Sequence, residues 1–138
     1  MTIDTAIARI QALALSSTDT EIKSAPSYPV EDANVLPLAI TYIKSGQAQA
    51  DDASAARLLL TVGCDVHFSR ISLKQACIQI NLFVPEFLKR LSGDPTLNGA
   101  VDTIVYPVTF QVVPVDFNGI PTLSASFDIT LKFREAAL

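Results

Sequence analysis

The stretch Leu91-Ser92-Gly93-Asp94-Pro95-Thr96-Leu97-Asn98-Gly99 lies between a segment with helical periodicity and a segment rich in strand-forming residues. Asp94 can accept hydrogen bonds from nearby backbone N–H groups, Pro95 restricts its own φ, and Gly99 tolerates backbone angles that a side chain would forbid. We therefore expect a structural turn that connects a helix to a strand. The residues expected to build it are Asp94, Pro95, Thr96, Leu97 and Gly99.

The segment before this turn predicts the principal core helix. Ser72 can cap it, and Pro85 removes one backbone donor within it, so we expect a kink at the proline. On the outer face Glu86 and Arg90 are four residues apart and can form an ion pair, although Arg90 is also a candidate for a contact between subunits. The apolar positions at spacings of three and four are Leu73, Ala76, Cys77, Ile80, Phe83, Phe87, Leu88 and Leu91.

The segments after the turn predict a β-hairpin. Residues 104–115 are rich in β-branched residues, and in residues 120–133 apolar and polar side chains alternate with a period of two, which predicts one buried and one wet face. Between them, Asn-Gly readily supplies the positive φ angles of a tight turn. The turn residues Asp116, Phe117, Asn118 and Gly119 are also candidates for contact with a neighbouring subunit.

The first half of the chain predicts a helix over residues 3–15 and two strands over residues 36–43 and 57–68. The residues between the strands, from 45 to 56, are small or polar and predict a mobile hairpin tip. This tip carries Asp51 and Asp52, which are either solvated or in contact with a partner or a channel.

The order of these elements predicts an α+β fold in a single domain over residues 1–138. The expected architecture is an antiparallel sheet built from two hairpins, with the long helix and the N-terminal helix packed on it. The chain is 49% hydrophobic, with a mean hydropathy of +0.36, so we expect part of the apolar surface to be buried between subunits.

Charge and targeting features narrow the class of protein. The net charge is −4 and Lys and Arg form no cluster, so tight nonspecific binding to DNA is not expected. No segment is long enough to cross a bilayer, and the N-terminus lacks the features of a secretory signal. We expect the chain to fold in a cytoplasm.

The residues that could carry chemistry do not form a catalytic set in the sequence. Cys64 and His67 are three residues apart in a predicted strand, so their side chains should point to opposite faces, with His67 exposed or at an interface. Cys64 and Cys77 are expected to be buried thiols without a metal-ligand spacing. We find no phosphate-binding loop or dinucleotide motif, and so predict no catalytic, cofactor or metal site.

The sequence resembles the tail terminator proteins of long-tailed bacteriophages. The likeness spans most of the chain from Leu36 onwards and is sharpest at Leu91, Asp94-Pro95-Thr96-Leu97 and Gly99, because a comparable turn links the long helix to the next strand in that family. The sequence departs from the family pattern at Pro85, which interrupts the helix, and at Asn98, where the turn is often richer in glycine.

This resemblance implies a noncatalytic virion protein, without cofactors or membrane contact, assembled in the host cytoplasm. Members form a ring, usually a homohexamer, that caps the head-proximal end of the tail tube, stops its polymerisation and offers a docking surface to a head-completion or connector protein. The implied partners are copies of the chain, the major tail tube protein and that connector protein. DNA would pass through the lumen without specific binding, and Asp51 and Asp52 are candidates to face the lumen or the tube.

Two other functions fit the predicted elements. Another phage neck protein, such as a tail-completion or head-tail joining factor, would also be a small assembly protein. A long helix cradled by an antiparallel sheet also suits a hotdog-like protein that binds acyl ligands. That function would require a carboxylate placed against a substrate tunnel.

Overall fold

Two helices and four strands follow one another in the computed structural model, which describes residues 3–15, 37–50, 56–117 and 119–134. The sheet has the order β1-β2-β4-β3, and every neighbouring pair is antiparallel. The predicted α+β class is therefore confirmed, with two hairpins joined side by side through β2 and β4. The elements are α1 (Ile3–Leu15), β1 (Leu38–Ala50), β2 (Ala56–Ser69), α2 (Leu73–Ser92), β3 (Thr103–Phe117) and β4 (Ile120–Arg134).

Helix α2 begins and ends where the sequence indicates, and it continues through Pro85 without a break. The Ser72 side chain accepts a hydrogen bond from the Gln75 N–H at 3.4 Å, and the Gly93 N–H donates to the Lys89 carbonyl at 3.1 Å. Both helix ends are thus capped. The buried face of α2 consists of Ala76, Ile80, Phe83, Phe87 and Leu91.

The core lies between the two helices and one face of the sheet, which we call the covered face. Phe83 and Phe87 stack with ring centroids 5.3 Å apart, and the Phe127 ring meets Phe87 edge-on at 4.9 Å. All three side chains are fully buried. The strand residues of the covered face include Leu60, Val62, Cys64, Val66, Phe68, Leu123, Ala125, Ile129, Leu131 and Phe133.

Strand β1 is longer than the sequence predicted. Residues 45–50 were expected in a mobile tip, but they pair with β2 from Ser45↔Thr61 to Ala50↔Ala56. Strand pairing uses backbone groups only, so residues with small or polar side chains can also pair. The ladder continues beyond a register shift in which Lys44 is the extra residue.

Cys77 also differs from the sequence-based prediction. It is exposed on α2, whereas Cys64 is buried as expected. The helical spacing that suggested a core position for Cys77 places it beside the apolar stripe of α2 and outside it.

Candidate functional site

The turn between α2 and β3 is held by the carboxylate of Asp94. Its Oδ1 accepts a hydrogen bond from the Asn98 N–H at 2.8 Å, and its Oδ2 accepts one from Arg9 Nε at 2.7 Å. Burial by itself would raise the pKa of Asp94, but the hydrogen bonds from Arg9 and Asn98 outweigh burial and hold this pKa below its ordinary value. One side chain therefore closes the turn and ties it to α1.

Three successive residues of this turn have a left-handed backbone, with φ of 49° at Leu97, 58° at Asn98 and 85° at Gly99. For a leucine this conformation costs about 1–2 kcal/mol. The Leu97 side chain is buried in the core, and the Pro95 carbonyl accepts a hydrogen bond from the Ile104 N–H at 2.8 Å. These contacts hold the strained backbone. The structure thus brings together Asp94, Pro95, Thr96, Leu97 and Gly99 in one turn.

A cleft of about 420 Å³ lies beside this turn, between α1 and the end of α2. The expected ion pair is present on its rim, with Arg90 Nε 3.2 Å from Glu86 Oε1, and the Arg9–Asp94 pair lies next to it. Lys89 forms no ion pair among the described residues. The cleft therefore carries both signs of charge, and Arg90 contacts its own helix. Its lining residues are Arg9, Leu13, Glu86, Lys89, Arg90, Gly93 and Asp94.

The second face of the sheet, which we call the open face, carries polar side chains that cross from strand to strand. The Tyr42 hydroxyl donates to Asp65 Oδ2 at 2.9 Å, and Lys44 Nζ lies 2.8 Å from Asp128 Oδ1. Both side chains pass over Gly63, where a Cβ atom would lie 2.8 Å from Tyr42 Cζ and 2.9 Å from Lys44 Cδ. The glycine is therefore needed for these two pairs to form.

Asp65 is under-bonded on this face. Its Oδ1 is buried and has no hydrogen-bond partner among the described residues. Burial first, and then the hydrogen bond and charge of Asp65, raise the pKa of Tyr42 to about 12. Tyr42 is therefore a neutral hydrogen-bond donor throughout the physiological range.

His67 is buried, which corrects the expectation of an exposed or interfacial residue. Its Nδ1 lies 3.0 Å from Thr122 Oγ1, and its ring centroid lies 4.7 Å from that of Phe117. Desolvation lowers the pKa of His67, although the charge of Asp65 acts in the opposite sense. The side chain thus belongs to a small packed cluster on the open face.

Cys64 lies on the covered face, opposite His67, as the alternation of the strand predicts. Burial raises the pKa of the Cys64 thiol to about 12, and its sulfur is 3.5 Å from Thr41 Oγ1. A protonated thiol on one face and a histidine on the other do not form a nucleophile–base pair.

The β3–β4 turn contributes less exposed surface than the sequence suggested. Asp116 and Gly119 are exposed, and Gly119 has a φ of 86° as a tight turn requires. Phe117, a candidate for contact with a neighbour, instead turns back onto His67. The small residues Thr122 and Ser124 on β4 leave room for the Phe117 ring and are themselves buried. The face of β4 that was predicted to be exposed to solvent is therefore partly buried. Asn118, Asp51 and Asp52 lie outside the described residues.

Strand β3 carries a set of exposed apolar side chains that the sequence did not predict. Tyr106, Phe110 and Val112 are 54%, 46% and 42% exposed, because the described helices pack on β2, β4 and part of β1 and leave this part of β3 uncovered. Phe110 also contacts the core through Phe127, with ring centroids 5.5 Å apart. The one sequence signal for this surface is the absence of charge from Val105 to Val115, a run that by itself predicts only a strand.

No protein-family model and no curated protein matches this chain. Neither of the two described helices has the length and apolar character needed to cross a bilayer. Within the described ranges, no three His, Cys, Asp or Glu side chains are grouped as metal ligands would be. Function must therefore be inferred from the surfaces of the molecule.

Proposed function

We propose that this chain is a subunit of a homo-oligomeric ring that caps the head-proximal end of a phage tail tube. The ring would stop tube polymerisation and offer a docking surface to the head-completion or connector protein. The observation that supports this most directly is the sheet itself, because apolar side chains are exposed on the outermost strand β3, whereas α1 packs on part of β1 at the opposite end. Exposed apolar surface of this kind is typical of a subunit interface.

The ring function needs different surfaces for different partners, and the molecule offers them. The outer side of α2 exposes Ile78 and Leu82 one turn apart, and no charged residue lies between Lys74 and Glu86. At the end of α2 the cleft beside Asp94 carries both signs of charge. An apolar flank and a charged end suit contacts with two distinct proteins, here the tube and the connector.

The turn around Asp94 contributes to this function through rigidity. Its hydrogen bonds to Arg9 and Asn98 hold α1, α2 and β3 in one arrangement. A subunit that must fit both a tube and a connector benefits from such preorganisation, because less conformational freedom is lost on binding.

Electron microscopy of phage particles made without this protein tests the proposal. A terminator ring predicts tail tubes longer than normal and unattached to heads, because nothing stops subunit addition. Tails of normal length that fail to attach would instead indicate a head-tail joining or tail-completion factor. Normal infectious particles would contradict any role in the neck.

Complementation with variants sharpens this test. Phe110→Lys and Val112→Lys place a charge on the exposed apolar surface of β3, and we expect each to leave tubes overlong. Ala12→Lys, on the exposed side of α1, is the matched control and should restore normal tails. If Asp51 and Asp52 face the lumen, replacing both with Lys should slow DNA ejection without changing tube length.

A further inference from the structure

The hydrogen-bond alternation of the sheet decides which backbone groups point to its free edges. Pro114 pairs with Leu123 but has no N–H to donate, so its nitrogen must face away from β4. Residues two apart in a strand point their N–H and C=O groups to the same side. Phe110 and Val112 therefore direct these groups outward from β3, and no described strand pairs with them.

The same alternation extends across the sheet to β1, and two hydrogen bonds support it. The Arg70 N–H donates to the Pro121 carbonyl at 3.3 Å. The backbone N–H and C=O groups of even-numbered residues of β2 must therefore point to β4. The backbone N–H and C=O groups of odd-numbered β2 residues then point to β1, and those of Val66 do not. Ala39, which lies opposite Val66, must therefore direct its own N–H and C=O groups outward from the sheet. Its carbonyl indeed accepts a hydrogen bond from Gln11 Nε2 of α1 at 3.1 Å.

The free part of the β1 edge begins after this contact with α1. Lys44 is the extra residue at the register shift between Ile43 and Ser45, and beyond it the outward positions become Gly46 and Ala48. Residues 43–49 are exposed along their whole length. Among the described residues, the sheet therefore has two edges without a pairing strand, with outward-pointing backbone groups at Gly46 and Ala48 on one side and at Phe110 and Val112 on the other.

The side chains of these two edges are complementary in size. Gly46 and Ala48 lie on the covered face of β1 and are very small, whereas Phe110 and Val112 lie on the covered face of β3 and are large. On the open face both edges carry neutral polar side chains, with Gln47 on β1 among them. Neither window, 45–49 or 109–113, contains a charged residue, although exposed edge strands are usually protected by charge.

The direction of the strands also fits repeated addition of copies. In the order β1-β2-β4-β3 every neighbouring pair is antiparallel, so β1 and β3 run in opposite directions. A second copy related by rotation about a ring axis parallel to the strands keeps its strand directions, so its β1 would run antiparallel to β3 of the first. Head-to-tail contacts of this type give a ring when the rotation between successive copies closes, and an open filament when it does not.

We propose that residues 45–49 of β1 in one copy add as an antiparallel strand to residues 109–113 of β3 in the next. Ala48 lies opposite Phe110 and Gly46 opposite Val112, so that all four outward-facing residues form hydrogen-bonded pairs, and Gln47 lies opposite Gln111. This seam rests on the ring proposed above and names the two surfaces that join its subunits.

Disulfide cross-linking between singly substituted chains tests the seam. Gln47 and Gln111 are both exposed, and as a pair without mutual hydrogen bonds their Cα atoms would lie about 4.5 Å apart, within disulfide range. Chains carrying Gln47→Cys and Gln111→Cys, both with Cys77→Ser, are mixed and oxidised at high concentration. We expect cross-linked dimer at least tenfold above that from either chain alone, and a ladder of multimers from the double variant.

Thr103→Cys in place of Gln111→Cys is the matched control. Thr103 lies on the same strand and face, but it pairs with Lys132, six residues along β4 from Ser126, the partner of Gln111. The two positions are therefore about 20 Å apart along the sheet, so Thr103→Cys should not cross-link to Gln47→Cys. Self-linking of Gln111→Cys as strong as in the mixture would indicate a two-fold contact between β3 edges and overturn the proposal. Failure to cross-link, whether the chain is monomeric or oligomeric, would also overturn it.

A proline at position 48 supplies the second measurement. Because the Ala48 N–H points away from β2, Ala48→Pro removes no hydrogen bond within the sheet, and its circular dichroism spectrum should match that of the native chain. We expect at least a tenfold loss of self-association by sedimentation. Unchanged association with an unchanged spectrum would overturn the seam, while overlong tubes in particles lacking the protein would still support the ring.

Discussion

The covered and open faces belong to the same sheet but are stabilised differently. On the covered face, Phe127 is fully buried against Phe83 and Phe87 of α2. On the open face, Tyr42 reaches Asp65 on β2 and Lys44 crosses β2 to Asp128 on β4, and both side chains remain partly or largely exposed. Burial on the covered face therefore holds the fold, and we expect changes on the open face to cause smaller losses of stability.

The largest expected effect lies in the covered face. Phe127→Ala removes a fully buried ring that contacts three others, and we expect a loss of about 3–5 kcal/mol in the free energy of unfolding. Phe110→Ala, on the same face but 46% exposed, should cost about 1 kcal/mol, since it forfeits only part of that burial. Urea unfolding measures both, and equal losses would contradict the division between covered and exposed surface.

On the open face the strongest effect should come from Gly63→Ala. The new Cβ would lie 2.8 Å from Tyr42 Cζ and 2.9 Å from Lys44 Cδ, so both side chains must move from Asp65 and Asp128. We expect a loss of about 1–3 kcal/mol by urea unfolding.

Gly93→Ala is the control for Gly63→Ala. Its Cβ would meet nothing closer than 3.5 Å, and its φ of −80° suits alanine, so stability should change by less than about 0.5 kcal/mol. A similar loss in both variants would show that the crossing side chains are not the cause.

The turn around Asp94 should have a smaller effect, because its ion pair is partly exposed. Asp94→Asn retains the shape of the side chain but removes its charge, and we expect a loss of about 1–2 kcal/mol at pH 7. The partners of Asp94 lower its pKa in the folded chain. The stabilisation that Asp94 contributes is therefore fully present above its ordinary pKa and is lost as pH falls through its lower, folded-state pKa. The difference between native and variant stability should therefore shrink below about pH 4; a constant difference would contradict this.

His67 should give the smallest and most gradual effect. Burial lowers its pKa in the folded chain, so the unfolded chain binds the proton more readily. The contribution of His67 to the free energy of unfolding should be fully present above about pH 6.5. Below that pH the free energy of unfolding should fall by at most about 1.4 kcal/mol per pH unit. His67→Asn should remove this slope between about pH 5 and 7, and an unchanged slope in that variant would assign it to another group.

The sequence predicted the elements that repeat a simple pattern. Period-two alternation located β4, helical spacing located α1 and α2, and the Asp94-Pro95 turn lies where its residue types indicated. The sequence could not show that β1 continues to Ala50, because backbone pairing leaves no trace in small side chains. The burial of His67 was equally hidden, since it depends on Phe117 reaching over β4 from a distant strand. The exposure of Phe110 depends on how far the helices extend, which no local pattern records.

Pro107 and Pro114 leave only a short stretch of the β3 edge able to donate hydrogen bonds. A long uninterrupted edge would bind any extended strand tightly and release it slowly, as happens in fibres. In the seam proposed above, a short edge would make each contact weak, so a misplaced neighbour would dissociate quickly and only copies held by several simultaneous contacts would persist. The two prolines would in this way give assembly a means of correcting its errors.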